Sequence, residues 1–292
     1  MTTSSPSRVR PAVMCANADT CRIDTFHIGG DAMVVARTAG RGPPLLICND
    51  FLADHRVVQS FCDALSRSTI CFDAPGIGGT PGTPRMARMA GLAARAARLC
   101  DVLEHDVVDV LGIGWGGLLA QRLARDHGAR VRRLVLVATS IGPLMLPGRA
   151  ASLWRLAWPG GPGRAVADGR DVRTLFGGRR ADECAAVAAA VRRACPPTRR
   201  AFAAQLYAMA GFSSLPWLHR LRMPTFILAG DDDQVVPLPN VRLLGLLIPD
   251  SRLSIMRGAG HWLVLERPDE AARRIEEFLD TPHPAQPGGE AI

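Results

Sequence analysis

The chain has 292 residues, of which 48% are hydrophobic and 21% are charged, and its net charge is +8. This length and composition are typical of one large globular domain, and no apolar run approaches the ~20 residues that a membrane span needs. All 35 basic residues are arginine, which excludes Schiff-base chemistry on lysine and a phosphate-binding loop with its lysine. The eight cysteines lack the spacing of zinc ligands, so we predict no metal site. We also predict no disulfide, because disulfides are rare in the cytoplasm, and no cofactor.

Both ends of the chain are predicted to lie outside the folded domain. Residues 1–20 are rich in Ser, Thr and Ala and lack the apolar segment of a secretory signal. We therefore expect a flexible N-terminus and a cytoplasmic protein. Residues 281–292 are rich in Pro and Gly, and we expect a disordered tail there. Nothing in the sequence indicates a nucleic-acid partner.

Buried strands alternate with helices along most of the chain. Residues 21–39 alternate apolar and polar side chains around a Gly-Gly pair, which predicts an opening β-hairpin. Further strands are predicted at 44–48, 69–72, 107–111, 134–137, 225–229 and 252–256, and helices at 86–103, 115–127, 238–248 and 268–279. This order predicts an α/β fold with a mostly parallel sheet that helices cover on both faces.

The alternation stops between residues 142 and 220. Two stretches rich in Ala, Arg and Leu, near 181–194 and 199–211, are helix-like, and no strand is evident. We interpret 142–220 as a helical cap inserted into a core of residues 21–141 and 221–280. Residues 149–200 contain eleven arginines and four acidic residues, a local net charge of +7. Such a surface is by default a solvated face, and its alternative is a binding surface for an acidic partner.

One segment has the layout of a nucleophile elbow without the nucleophile. Residues 107–120 are predicted to form a buried strand, a sharp glycine turn and a helix. This is the arrangement of the G-x-S-x-G motif, which lifts a serine hydroxyl above the sheet of an α/β hydrolase. Here the motif is Gly112-x-Gly114-x-Gly116, so the nucleophile position at Gly114 is vacant.

Two later motifs stand where the same fold places its acid and its base. Asp233 ends an Asp-Asp-Asp run after one strand, and His261 follows the last strand. The chain order of elbow, acid and histidine is the order that this fold uses. We therefore predict an Asp233–His261 pair, in which the carboxylate orients the imidazole.

Residues around the elbow are predicted to complete the site. The amide N–H groups of Phe51 and Trp115 are candidates for an oxyanion hole. Asn49 and Asp50 follow a strand at the same edge of the sheet, and Ser140 follows the next strand after the elbow helix. We expect these three side chains to face the substrate, and Ser140 is also a candidate for a displaced nucleophile.

Several segments resemble intracellular medium-chain-length poly(3-hydroxyalkanoate) depolymerases. The resemblance is carried by residues 70–79, 112–117, 217–219, 228–233 and 240–244. In that family the residue matching Gly114 is a serine nucleophile, the acid maps to Asp233, and the base maps to His261. The resemblance implies an α/β-hydrolase fold, an aliphatic 3-hydroxyacyl ester substrate and a cytoplasmic setting.

The chain departs from this family pattern at two positions around the reacting carbonyl. Gly114 replaces serine, and Asp50 stands where hydrolases of this fold usually have glycine, so that its carboxylate opposes a developing oxyanion. We expect at most an Asp-His general-base mechanism without an acyl-enzyme, in hydrolysis or in a lyase, isomerase or cyclase reaction. The alternative is a non-catalytic pseudoenzyme whose Arg-rich cap binds an acyl carrier protein, an acyl-CoA or a granule surface. A serine changed to Gly114 to trap substrate would give the same sequence.

Overall fold

The computed structural model describes residues 21–28, 30–80, 85–157 and 172–282. The N-terminus predicted to be flexible, residues 1–20, lies outside this part of the chain, as does all but the first two residues of the predicted tail. None of the helices in the described ranges is long and apolar enough to cross a membrane.

Eight strands form one sheet. They are β1 (Cys21–Ile28), β2 (Asp31–Thr38), β3 (Arg41–Cys48), β4 (Arg67–Phe72), β5 (Val108–Ile113), β6 (Val131–Val137), β7 (Thr225–Gly230) and β8 (Ser251–Met256). Their order across the sheet is β1-β2-β4-β3-β5-β6-β7-β8. The β1–β2 and β2–β4 pairs are antiparallel and all others are parallel. The predicted hairpin and the mostly parallel sheet are therefore confirmed.

The described residues also form ten α-helices. They are α1 (Gln59–Ala64), α2 (Met89–Val102), α3 (Trp115–Asp126), α4 (Ala150–Ala157), α5 (Val172–Phe176), α6 (Ala181–Arg193), α7 (Arg199–Met209), α8 (Leu238–Leu247), α9 (Leu263–Glu266) and α10 (Pro268–Asp280). The predicted helices correspond to α2, α3, α8 and α10. The short helices α1 and α9 were not predicted, because six and four residues are too few to show helical periodicity.

The two faces of the sheet bury separate apolar cores. Neighbouring residues of a strand point to opposite faces, so Leu46 packs in a core with helices α2, α3 and α8, whereas Leu45 packs in a core with α1, α9 and α10. Both leucines are fully buried. This two-sided burial explains why the central strands are mostly apolar rather than alternating in polarity.

The segment between β6 and β7 is helical where the structure describes it. Helices α4 to α7 and a short 3-10 turn at Leu218–Arg220 account for its regular structure, and residues 158–171 of the predicted cap lie outside the described ranges. Helix α7 lies over the ends of the central strands, where Phe202 packs in a small cluster with Leu52 and Ile77. This segment therefore contributes to the site.

The carboxyl ends of β3, β5, β6, β7 and β8 all meet at one edge of the sheet, since these strands are mutually parallel. The loops that follow them carry Asp50, Gly114, Ser140, Asp233 and His261. Ligand sites of open α/β sheets form at this edge, and the fold thus gathers the predicted site residues in one place.

The close packing of α3 against β3 gives a first prediction. A Cβ atom on Gly116 would lie 2.0 Å from the carbonyl oxygen of Cys48, so Gly116→Ala forces the helix away from the sheet. We expect it to lower the free energy of unfolding by about 1–3 kcal/mol, as overpacking does. Gly91 in the exposed face of α2 meets only Ala87 at 3.5 Å, and Gly91→Ala should instead raise that free energy by roughly 0.5–1 kcal/mol. Urea unfolding of both variants measures the difference, and equal effects would contradict the packing argument.

Candidate active site

The turn between β5 and α3 has the conformation of a nucleophile elbow. Gly114 has φ 51° and ψ −114°, a region that costs a non-glycine residue about 1–3 kcal/mol. Its N–H donates to the carbonyl of Val137 at 2.9 Å, and its carbonyl accepts the hydroxyl of Thr139 at 2.6 Å. The end of β6 and the residues just after it therefore hold this turn in place through its N–H and its carbonyl.

Asp233 and His261 form a buried pair. Oδ2 of Asp233 lies 2.8 Å from Nδ1 of His261, and Oδ1 of Asp233 accepts the backbone N–H groups of Val235 and Val236 at 2.8 and 2.9 Å. The carboxylate is thus fixed by two amides while its second oxygen faces the imidazole. The adjacent Asp231 and Asp232 bond instead to the backbone N–H groups of two glycines, Gly258 and Gly178.

The imidazole of His261 is held by its own backbone and by aromatic neighbours. The backbone N–H of His261 donates to the carbonyl of Phe176 at 2.7 Å, and the His261 ring lies nearly parallel to that of Phe176 with 6.3 Å between centroids. Trp262 meets the imidazole edge-on. Since His261 is only 3% exposed, its orientation is fixed and its ring is shielded from bulk water.

The carboxylate of Asp50 occupies the space that a side chain on Gly114 would need. A Cβ atom built on Gly114 would lie 2.0 Å from Oδ1 of Asp50. That oxygen accepts the N–H of Trp115 at 2.8 Å, and Oδ2 lies 3.2 Å from Nε2 of His261. Asp50 therefore takes both contacts that a nucleophile and an oxyanion would make: one with the histidine and one with the amide after the elbow.

Hydrogen bonds from Asn49 and from Gln205 hold the loop that carries Asp50. Asn49 accepts the N–H of Asp50 at 2.9 Å and donates to the carbonyl of Asp54 at 2.7 Å. Leu52 has a positive φ of 60°, and its N–H donates at 2.8 Å to the side chain of Gln205 in α7. Since a strained non-glycine residue persists only where its surroundings fix it, this loop is held in one conformation.

Helix α7 closes the site on the side opposite the sheet. The backbone carbonyl of Gln205 accepts the indole N–H of Trp115 at 3.2 Å, while its side chain holds Leu52. Phe51 meets Phe202 edge-on with 5.6 Å between ring centroids. No sequence pattern indicated Gln205, because it lies 153 positions from its partner Leu52 in a segment without motifs.

The remaining predicted residues have structural contacts. The hydroxyl of Ser140 bonds to the N–H and the carbonyl of Gly142 at 3.2 and 3.3 Å, and no hydrogen bond joins it to His261 among the described residues. The side chain of Asn49 bonds to the backbone of Asp50 and Asp54 within its own loop. The amide of Trp115 is engaged by Asp50, so in this state one of the two predicted oxyanion donors is already used.

Two carboxylates face the two ring nitrogens of His261. Burial opposes its protonation, but Asp233 and Asp50 outweigh burial and raise the pKa of His261 to about 10. A carboxylate only accepts hydrogen bonds, so both nitrogens carry a hydrogen and the ring is an imidazolium. His261 therefore cannot accept a proton at neutral pH until the charge of one carboxylate is moved or removed.

A small, mostly apolar cavity of about 30 Å³ lies against Asp50. Met33, Phe72, Leu92 and Leu119 contribute its apolar wall. A cavity needs roughly 10–15 Å³ to hold one water, so this space accommodates water beside the carboxylate.

The chain is similar in sequence to known proteins. A family model described as the alpha/beta hydrolase family matches residues 44–274. A poly(3-hydroxyalkanoate) depolymerase of Ectopseudomonas oleovorans is 39% identical over 243 residues, which cover 81% of this chain and 84% of that protein. A pimeloyl-[acyl-carrier protein] methyl ester esterase of Aromatoleum aromaticum is 32% identical over 223 residues, which cover 70% and 84%.

Solved structures share the fold of this chain. An alpha/beta hydrolase fold protein from Chitinophaga pinensis superposes with a TM-score of 0.75 at 20% identity, covering 90% of this chain and 98% of that one. A hydrolase from Pseudomonas aeruginosa PA01 gives a TM-score of 0.72 at 21% identity, with 91% and 100% covered. These likenesses show the fold, and the predicted fold class is confirmed.

Proposed function

Because the chain belongs to the alpha/beta hydrolase family, we propose that it acts on an aliphatic acyl or 3-hydroxyacyl substrate without a serine acyl-enzyme. The observation that carries this proposal is the buried imidazole of His261 between the carboxylates of Asp233 and Asp50, at 2.8 and 3.2 Å. The substrate class is that of the 39% identical depolymerase. Asp233 orients the ring, and His261 moves the proton.

Binding of an acyl group is what would make His261 a base. An acyl oxygen that takes the Trp115 N–H displaces Oδ1 of Asp50 from that amide. The carboxylate then leaves Nε2 of His261, whose pKa falls because one of its two negative neighbours is gone. His261 can then accept a proton from water, or from a substrate carbon in an elimination, isomerisation or cyclisation. Substrate binding and base activation are thus coupled through Asp50.

Hydrolysis of p-nitrophenyl esters of graded aliphatic chain length tests the proposal. We expect the chain to hydrolyse some of them, and His261→Gln to reduce kcat/KM by on the order of 10²–10⁴-fold, the usual contribution of general acid-base catalysis. Asp63→Asn, on the exposed face of α1, is the matched control and should retain full activity. Equal rates for the chain and His261→Gln would contradict the proposal.

A second function is favoured by the arginines around the α6–α7 turn. Arg192, Arg193, Arg199 and Arg200 are exposed, and no ion pair joins them to another described residue. The last two stand in the first turn of α7, where the helix dipole disfavours positive charge. An acidic partner such as an acyl carrier protein would offset this cost. If the chain is a binder, its affinity for that partner should fall steeply with salt and on changing Arg199 and Arg200 to Ala.

A further inference from the structure

Asp50 has the two contacts that a carboxylate nucleophile needs. Its Oδ2 faces the site beside Nε2 of His261, and its Oδ1 is already bonded to the N–H of Trp115. The side chain is 6% exposed and lines the cavity described above. Nothing in the general-base proposal uses this placement, except as an obstacle that the substrate must displace.

The occupied amide decides which carbon such a nucleophile can attack. Attack on an acyl carbon creates an oxyanion on the substrate, which requires the Trp115 N–H that Asp50 holds. Displacement at a saturated carbon creates no oxyanion at the attacked carbon, since the charge passes to the leaving group. The geometry therefore suits an alkyl carbon that bears a leaving group stable as an anion.

The same amide serves the second step. Once Oδ2 is joined to the alkyl carbon, Asp50 is an ester, and water must attack its Cγ atom. The negative charge of that tetrahedral intermediate develops on Oδ1, which lies 2.8 Å from the Trp115 N–H before the reaction begins. A donor in place beforehand stabilises such a charge most effectively.

We propose that Asp50 is a catalytic carboxylate nucleophile, and that the chain hydrolyses alkyl electrophiles through an Asp50 ester. In the first step Oδ2 forms a bond to the alkyl carbon, and the leaving group departs with the bonding electron pair as an anion. In the second step water adds to Cγ and the alkyl alcohol departs with the original Oδ2. One oxygen of water remains in the carboxylate, and one proton is released overall.

His261 changes its role between the two steps. The resting imidazolium faces two carboxylates, but esterification neutralises Asp50 and leaves Asp233 as the one charged partner of the ring. His261 then releases its proton to solvent, takes a proton from the attacking water at Nε2, and returns it to the departing alkoxide. The new carboxylic acid of Asp50 finally gives its proton to His261, which restores the resting state.

This activity goes beyond the proposed action on acyl substrates and is tested with different probes. The probes are bromobutane, whose leaving group is bromide, and β-butyrolactone, whose ring oxygen leaves as a carboxylate when the alkyl carbon is attacked. Bromide release and hydroxy-acid formation distinguish the two. The p-nitrophenyl ester assay is read separately, so either proposal can fail without the other.

Trapping the ester is the decisive experiment. His261→Gln keeps Asp50 but lacks the base of the second step, so incubation with either probe should add the alkyl group to the tryptic peptide 42–56. This peptide also contains Cys48, so fragment masses must place the adduct, and hydroxylamine should remove an ester but not a thioether. The additional change Asp50→Asn should abolish the adduct, whereas Asp63→Asn should leave it. An adduct confined to cysteines, or none with either probe, would overturn the proposal.

Oxygen transfer provides a second test that does not depend on a variant. In a single turnover in heavy-oxygen water, the alcohol should carry ordinary oxygen, because its oxygen comes from Asp50, and the heavy isotope should appear in the peptide 42–56. Heavy oxygen in the first-turnover alcohol would mean direct attack by water and would overturn the proposal. Asp50→Asn should lower turnover by at least about 10³-fold, as the loss of a nucleophile does.

Discussion

Changing Asp50 to Gly and Gly114 to Ser together is expected to create ester hydrolysis through a serine, at least about 10³-fold above the rate of either single variant. The double change places a hydroxyl beside His261 and frees the Trp115 N–H for the oxyanion. It also removes one of the two carboxylates that hold His261 protonated, so the ring can accept the serine proton. All three requirements of a serine hydrolase are then met in a turn that already has the elbow conformation.

Gly114→Ser alone is expected to form no acyl-enzyme and to gain no esterase activity over the parent chain. Its Cβ would lie 2.0 Å from Oδ1 of Asp50 and its φ would be 51°, so the variant combines a steric clash with backbone strain. We expect a free energy of unfolding lower by about 1–3 kcal/mol from strain alone. The sequence suggested an empty space at this position. The structure shows that the side chain of Asp50 fills it.

Asp50→Gly alone is the matched control, since it opens the site without supplying a hydroxyl. The assay is p-nitrophenyl ester hydrolysis, with burst kinetics to detect an acyl-enzyme. No activity in a folded double variant would mean that the strand ends do not present position 114 to His261 as the geometry indicates. An acyl-enzyme burst in Gly114→Ser alone would mean that Asp50 moves away without cost.

The fold could be predicted from the sequence because its signals are local. Residues 45–48 and 108–111 of two predicted strands are buried, and such strands are recognisable as mostly apolar segments. The order of the motifs then placed Gly114, Asp233 and His261 at one edge of the sheet. The resemblance to the depolymerases was confirmed by the 39% identical relative.

The position of Asp50 relative to Gly114 could not be predicted from either motif alone. The sequence showed two departures from a pattern, 64 positions apart, and assigned both to the surroundings of one reacting carbonyl without indicating that they contact each other. The structure shows that they are complementary, because the carboxylate fits only where the serine side chain is absent. Such complementarity depends on distances of a few tenths of an ångström, which are not encoded in a local pattern.

The protonation of His261 was likewise outside the reach of sequence reasoning. The acid–histidine pair was predicted, and one carboxylate next to an imidazole is the usual arrangement for a general base. The second carboxylate at 3.2 Å changes the charge of the ring. Whether a histidine is a base or an acid at neutral pH is decided by such contacts rather than by its motif.

The pH dependence of folding gives the second prediction with a large effect. Burial disfavours the imidazolium of His261, but Asp233 and Asp50 raise its pKa from 6.5 to about 10. Folding therefore binds a proton, so the stabilisation is complete below pH 6.5 and is lost as the pH rises through 10. The free energy of unfolding should decrease over this window by up to roughly 5 kcal/mol, at about 1.4 kcal/mol per pH unit.

Asp50→Asn separates the contribution of His261 to the pH dependence from that of other groups that titrate in the same pH range. Buried Glu266, which accepts the Gly260 N–H, has a pKa raised to about 7, and the buried thiol of Cys100 has one raised to about 11. Both groups titrate in the parent and in the variant and so cancel in the comparison. An asparagine accepts from Trp115 and donates to a neutral Nε2, so the fold is kept while His261 loses one carboxylate. The variant should lose less stability with rising pH.

The titration of His261 itself is measured directly by NMR of its ring carbon and proton shifts. In the parent chain these shifts should stay at imidazolium values through neutral pH and change only near pH 10. In Asp50→Asn the transition should move to lower pH, because Asp233 alone faces the ring. A midpoint near 6.5 in both proteins would contradict an imidazolium of His261 held between the carboxylates of Asp233 and Asp50. It would also remove the reason that substrate displacement or esterification of Asp50 is needed before His261 can act as a base.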